Sequence, residues 1–387
     1  MSGKISRIAP ALFLGGLLAL TFPLPGFAHG DTAAETEIGA TAETPDLSTG
    51  ERQAEPYHTL AEKKAAGLAG NITDRITISG LIEVEAAAES VNFADGTADG
   101  SSDLTLATAQ IGLGMKLTEK VRGNINLLFE EGAFGDEDTD LEVDEAAIDI
   151  NYAPLFGRFG RLYVPFGVYH SHFISDPLTL ALGETRETAL LLGYGHDLFS
   201  LSAFVFNGDA GKIGQEDHIR DWGASLVLTP AEGMELGGSY LTDLADSDAG
   251  LLTEYRRRVG GWSSFATLER GPFGASAEIL GAVKSFAAAD LDADGNGKGD
   301  KPLAWNLEVS WAPVEQVELA ARYEGSDEFA GQPERQYGLT VSWSPWAYTT
   351  LSLEYLRGEF DHDFSADEDG NVLDRRDLVA AQLAFEF

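Results

Sequence analysis

Two stretches of this sequence carry side chains whose types and spacing could do chemistry. The first, HSHFISDPLTLALGETRE, runs from His170 to Glu187. It holds two imidazoles, His170 and His172. It also holds the carboxylates Asp176, Glu184 and Glu187 and the guanidinium of Arg186. Such a mixture could line a narrow passage and contact a charged solute. Ser171 between two histidines raises Ser–His hydrolysis, which needs an activated nucleophile and an orienting partner. No G-x-S-x-G or comparable nucleophile signal accompanies it. His29, His58, His196, His218 and His362 are scattered. The enzymatic reading is therefore set aside.

The second stretch, DLDADGNGKGD, runs from Asp290 to Asp300. Asp292, Asp294, Asn296 and Asp300 have the D-x-D-x-N-G spacing of calcium loops. There, alternating oxygens around a glycine turn wrap one hard cation. The bidentate Glu expected at the twelfth position is replaced by Leu303, and flanking helices are missing. The competing reading is a solvated acidic hairpin tip. Calcium is the one cofactor the pattern suggests. With no cysteine in the chain, disulfides and thiolate metal sites are excluded.

The elements that must position these residues are strands. From Arg75 onward, apolar and polar residues alternate with period two. Ile76, Ile78, Ile82 and Val84 alternate with Thr77, Ser79, Glu83 and Glu85. Val379, Ala381, Leu383, Phe385 and Phe387 alternate with Ala380, Gln382, Ala384 and Glu386, up to the last residue. Sixteen such segments can be counted, beginning near residues 75, 104, 121, 143, 158, 187, 199, 219, 234, 258, 274, 303, 317, 335, 349 and 376. Seven connections are short, from Thr118–Lys120 to Ser344–Tyr348, and several carry the Pro or Gly of tight turns. The eight between them read as longer and mostly acidic, for example Gly132–Glu142 and Asp243–Glu254. An even strand count with alternating short turns and long loops predicts an all-β, antiparallel up-and-down transmembrane barrel in the bacterial outer membrane.

A soluble β-sandwich would also alternate. Three features favour the barrel. Aromatics cluster near strand ends, with Tyr152, Trp311, Trp343 and Trp346 at the turn side and Trp305, Tyr323, Tyr337 and Tyr355 at the loop side. The apolar faces avoid charge. The polar faces carry charge in mid-strand, as an aqueous lumen allows.

The domain organisation follows. Residues 1–28 read as a signal peptide, with Lys4 and Arg7 before an apolar stretch that ends at Pro23 and Pro25, and small residues at Gly26 and Ala28. That stretch is about 15 residues, short of the roughly 20 a spanning helix needs. Residues 29–74 read as a flexible, partly helical periplasmic segment, and residues 75–387 as the barrel. The formal charge of −37 argues against nucleic acid, which needs a basic footprint. The partners expected are outer-membrane lipid and a small solute.

A lumen this wide is a water-filled channel. Its wall should include Glu130, Glu145 and Asp149 with Arg122, Arg161 and Arg322. Counting every inward polar residue, the acids Glu83, Glu85, Glu130, Glu145, Asp149, Asp221, Glu278, Glu308, Glu318, Glu324 and Glu354 outnumber the bases Arg122, Arg161, Arg322 and Arg376, which predicts weak cation preference. The loop from His170 to Arg186 is unlike its neighbours, because it holds Phe173, Ile174, Leu178, Leu180 and Leu182. Exposed apolar surface of that kind is unfavourable. The loop is therefore expected to fold into the barrel, so that His170, His172, Asp176, Glu184, Arg186 and Glu187 line a constriction.

The segment Gly160–Tyr194 reads GRLYVPFGVYHSHFISDPLTLALGETRETALLLGY. Its Tyr-Val-Pro-Phe-Gly, Ser-Asp-Pro-Leu-Thr and Leu-Gly-Glu-Thr-Arg-Glu runs resemble the LbtU-type siderophore porins, the legiobactin-receptor family. The resemblance implies uptake of a ferric siderophore through the outer membrane, and the short segment ahead of Arg75 makes a passive or gated mode the expectation. It supplies no ligand set for transfer to these residues. Many sixteen-stranded porins are trimers, so a homotrimer is the assembly it suggests. The segment ahead of Arg75 is too short for the globular plug of energised receptors. A general, weakly cation-selective diffusion porin is the alternative, and a structural or adhesive barrel is a third.

Overall fold

The computed structural model describes residues 75–132, 139–216, 218–366 and 370–387. The segments expected to be signal and periplasmic, residues 1–28 and 29–74, lie outside the described residues. Sixteen strands close into one barrel, each pairing antiparallel with its neighbours. Its first half comprises β1 (Ile76–Phe93), β2 (Ala98–Lys116), β3 (Val121–Glu131), β4 (Thr139–Tyr152), β5 (Leu155–Tyr163), β6 (Arg186–His196), β7 (Phe199–Phe206) and β9 (Asp221–Ala231). The second half comprises β10 (Met234–Leu241), β12 (Gly261–Arg270), β13 (Phe273–Ala282), β14 (Leu303–Val314), β15 (Val317–Asp327), β16 (Arg335–Trp346), β17 (Thr349–Glu359) and β18 (Leu373–Glu386). Two short strands, β8 (Gly211–Lys212) and β11 (Glu254–Tyr255), pair in parallel outside the barrel.

Alternation sorts the side chains as the pleat requires. On β18, Val379, Leu383 and Phe385 face out and are exposed, whereas Leu378 and Ala380 are buried inside. The same outward set recurs around the wall in Ile78, Ile111, Ile148, Leu192, Leu226, Leu307, Leu339 and Leu353. This belt of exposed apolar side chains is the lipid-facing surface of a transmembrane barrel. Tyr152, Trp311, Trp343 and Trp346 lie exposed at the turn side, with Tyr323, Tyr337 and Tyr355 at the loop side.

The barrel closes between β1 and β18. Gly80 N–H donates to Phe387 O at 2.9 Å, and Phe387 N–H donates to Gly80 O at 3.0 Å. An added Cβ at position 80 would lie 2.3 Å from the tip of the Phe387 ring, so a larger residue there must push that ring aside.

The seven short turns stand where the sequence predicts them, drawn tight because the strands run further than the apolar pattern. Two loop boundaries need correction. The first outer connection is only Ala94–Thr97, not a long loop, since β1 and β2 stay paired out to Asn92 and Ala98. Likewise β4 begins at Thr139, inside the stretch assigned to the loop Gly132–Glu142. In both cases the backbone ladder continues beyond the stretch that alternation marks. Inside the loop-side half of the barrel sits an apolar cluster. Leu162, Leu191, Phe204, Leu241 and Leu280 from the wall meet Leu178, Leu180 and Leu182 from the third outer loop and Leu244 from the fifth. The interior is thus not polar throughout, as the alternation rule alone would have it.

Candidate functional site: a loop strapped inside the barrel

The third outer loop leaves β5 after Tyr163 and returns at Arg186. Its first bend uses Gly167 at φ 87°, where an added Cβ would strike the Tyr169 ring at 2.5 Å. The loop then runs along the inner faces of β13, β14, β15 and β17. Its one regular element is the short helix Leu178–Gly183, with Leu178, Leu180 and Leu182 buried.

Four wall glutamates hold it. On β13, Glu278 accepts the N–H of Val168 (2.8 Å), the N–H of Tyr169 (3.0 Å) and the hydroxyl of Thr179 (3.1 Å). On β14, Glu308 accepts the N–H of His172 at 3.0 Å. On β17, Glu354 accepts the N–H groups of Ile174 (2.7 Å) and Ser175 (3.1 Å) and the Ser175 hydroxyl. On β15, Glu324 accepts the N–H of Leu178 at 2.7 Å. Irregular backbone in a buried place leaves donors unpaired unless side chains meet them. Here carboxylates do so, and bonds to ionised groups are the strong kind.

Arg322 balances the charge. Its Nε donates to Glu308 at 2.8 Å and its Nη1 to Glu324 at 3.4 Å. The same guanidinium reaches Asp176 O at 3.3 Å, donates to the Ser171 hydroxyl, and lies 4.3 Å from the centre of the Phe173 ring. Its side chain is 0% exposed. Arg322 therefore points inward as expected, but it is sealed beneath the loop and does not line open lumen. Phe173 and Ile174 complete the packing against Leu356, Leu378 and Ala87.

The wall away from the strap carries alternating signs. Arg158 pairs with Glu145 at 3.1 Å and with Asp149 at 3.3 Å. Arg122 stands opposite Asp149 in the β3–β4 register. Arg186 Nη1 meets Glu142 and Asp144, the latter at 2.9 Å, and Tyr163 donates to Asp144 at 2.7 Å. Arg161 lies 3.9 Å from Glu142. Glu130 is half-buried, with Oε1 lacking a hydrogen-bond partner.

The six loop residues do not form one cluster. His170 is exposed, and the half-buried Asp176 sits beside Arg322. His172 places Nδ1 against Glu318, and that contact raises its pKa above the ordinary histidine value. Arg186 belongs to the opposite wall. Glu184 and Glu187 lie on the returning limb. Burial, then the nearby Asp248, pushes Glu184 up to about 8. Sequence reasoning missed the part played by Glu278, Glu308, Glu324 and Glu354, which it took for free wall charges. The signal was their mid-strand place on the inner faces of near neighbours, opposite the one apolar loop. At the Asp290–Asp300 loop, Asp292, Asp294 and Asp300 do converge, with carboxylate oxygens within 4.8 Å of one another. Asn296 is turned to its own loop, where it accepts Lys298 N–H at 2.8 Å and donates to Asp294.

A closed sixteen-strand wall with an inward third loop can be set beside known structures. The outer membrane channel DcaP of Acinetobacter baumannii matches at TM-score 0.58 and 18% identity, over 81% of this chain and 97% of that one. An anion-selective porin from Comamonas acidovorans matches at TM-score 0.57 and 13% identity, over 81% and 99%. The fold is that of the porins. Among curated proteins, a UPF0422 protein of Coxiella burnetii is 27% identical over 220 residues, covering 52% of this chain and 47% of the relative. A UPF0422 protein of Legionella pneumophila is 25% identical over 338 residues, covering 74% and 59%. The chain thus spans about half to three fifths of the length of these relatives. No family model matches it.

Proposed function

We propose that this protein is a non-enzymatic outer-membrane pore for passive or gated uptake of a small solute, with a ferric siderophore as its cargo. The observation that carries the pore reading is the third loop strapped across the inner wall by Glu278, Glu308, Glu324 and Glu354. A loop held by carboxylates to one side narrows a channel without closing it. The siderophore rests on the likeness of Gly160–Tyr194 to the LbtU-type porins. We place the remaining passage between the strap and the β3–β6 wall, where Arg158, Arg161 and Arg186 stand among Glu142, Asp144, Glu145 and Asp149. Arg161, at 42% exposed, is the guanidinium open enough to meet an anionic iron chelate.

The second reading is a general diffusion porin with weak cation preference. It draws on the acid excess of the chain and on the unpartnered Glu130 oxygen. Planar-bilayer recording of the purified protein separates the two. Concentration-dependent current block by a ferric siderophore supports the first. Conductance without block, with a reversal potential favouring K⁺ in a KCl gradient, supports the second. Anion preference sinks the second, and absence of conductance sinks both. A homotrimer is the assembly we propose, and cross-linking in detergent that stops at the monomer argues against it.

A further inference from the structure

A second group of carboxylates lies where the fourth outer loop (207–220) and the fifth (242–260) meet, away from the strap. Asp221 opens β9, Asp243 follows β10, and Asp246 sits in the single turn Leu244–Asp246. All three are buried, at 5%, 0% and 5% exposed, and their carboxylate oxygens lie within 4.8 Å of one another. Arg258 supplies one positive charge, at 3.1 Å from Asp221 and 3.2 Å from Asp243. Fully ionised, three acids against one base carry two negative charges in excess, and burial, then Asp243 and Asp221, already pushes Asp246 up to about 8. Asp246 shows where the excess falls. Its Oδ1 accepts Ala210 N–H at 2.9 Å, but its Oδ2 is buried without a hydrogen-bond partner. The backbone is fitted tightly around it, since a Cβ on Gly208 would lie 2.1 Å from the Asp246 carboxyl carbon.

A buried carboxylate oxygen with no donor is costly, and buried charge is ordinarily paired or bound to metal. Oxygens only, an excess of acid and loop-borne ligands are what a large hard divalent cation takes. We propose that Asp221, Asp243 and Asp246 hold one divalent cation of the calcium type, which pins the fourth and fifth outer loops together. The site stands whatever solute the pore passes. Asp209, Asp248 and Glu187 add negative field close by, which raises local cation concentration.

Terbium, used alone as the calcium substitute, tests this on the folded full chain in detergent. Tyr255 is 1% exposed and its hydroxyl bonds Asp243, so it can sensitise a lanthanide bound there. Sensitised emission is expected, calcium should displace it, and Asp246→Asn, the neutral isostere, should abolish it while the barrel still folds. Asp197→Asn, exposed in a short turn at the other end of the barrel, should leave it unchanged. Absence of emission, emission that survives in Asp246→Asn, or loss in Asp197→Asn overturns the proposal. Should Asp246→Asn fail to fold, trypsin on the wild-type protein decides. Arg256 and Arg257 are exposed in the fifth loop, and calcium should slow cleavage there several-fold relative to chelator. Equal rates overturn the proposal.

Discussion

Glu354 looks like a selectivity charge and behaves as a strut. Its two oxygens are spent on the N–H groups of Ile174 and Ser175 and on the Ser175 hydroxyl. Glu354→Ala should weaken loop docking by about 1.5–3 kcal/mol, the worth of a hydrogen bond to a charged group. The readout is added flicker in the open-channel current, and a quiet channel at wild-type conductance would refute it. Arg322 is the matching case. Arg322→Met strands Glu308 and Glu324 in a buried place, which costs about 3–5 kcal/mol when one partner of such a group is removed. The folded band should convert to the unfolded one at a lower temperature on unboiled gels. Adding Glu308→Gln and Glu324→Gln should restore part of the loss, because charge and not shape is at fault. These roles were not legible beforehand. Alternation says that Glu278, Glu308, Glu324 and Glu354 face inward, but it does not distinguish water from backbone N–H as their partner.

At the scale of elements, the strands were legible and one loop length was not. Val379 to Phe387 and Leu303 to Trp311 alternate strictly because each must show one face to lipid. Residues 94–103, ADGTADGSSD, read as loop because they have almost no apolar face. Yet Ala98–Asp103 are paired with β1, where hydrogen bonding alone sets the ladder. The third loop was legible in the opposite way, since five large apolar residues need cover. Its docking should also depend on pH. Protonated His172 faces Glu318, with Glu308 and Glu269 adding to the field, and the Glu318 contact raises its pKa. A raised histidine pKa means the stabilisation is complete below the unfolded value of about 6.5. It is lost as pH rises through the higher folded value. Channel flicker should therefore grow toward alkaline pH. His172→Gln should flatten that dependence, and an unchanged pH profile in the variant would count against the contact.

For the whole molecule, the seam closes the sheet into a barrel and the strap covers part of its inner wall. The seam joins Gly80 to Phe387, and Gly80→Val would push the Phe387 ring aside. Refolding yield should fall, whereas Gly211→Val, in the fourth outer loop with open space around it and ordinary backbone, should refold more nearly as the wild type does. Comparable yields for the two variants would contradict the seam. The strap covers the wall from β13 to β17 and buries Leu178, Leu180 and Leu182; in the pore we propose, the mixed-charge wall faces the passage. Single-channel conductance of the Leu178–Leu182 deletion, recorded beside the wild type in the same bilayer and salt, tests that account most directly. A larger conductance is predicted, because the element that narrows the lumen has been shortened. An unchanged conductance would mean that the third loop does not set the width of the pore.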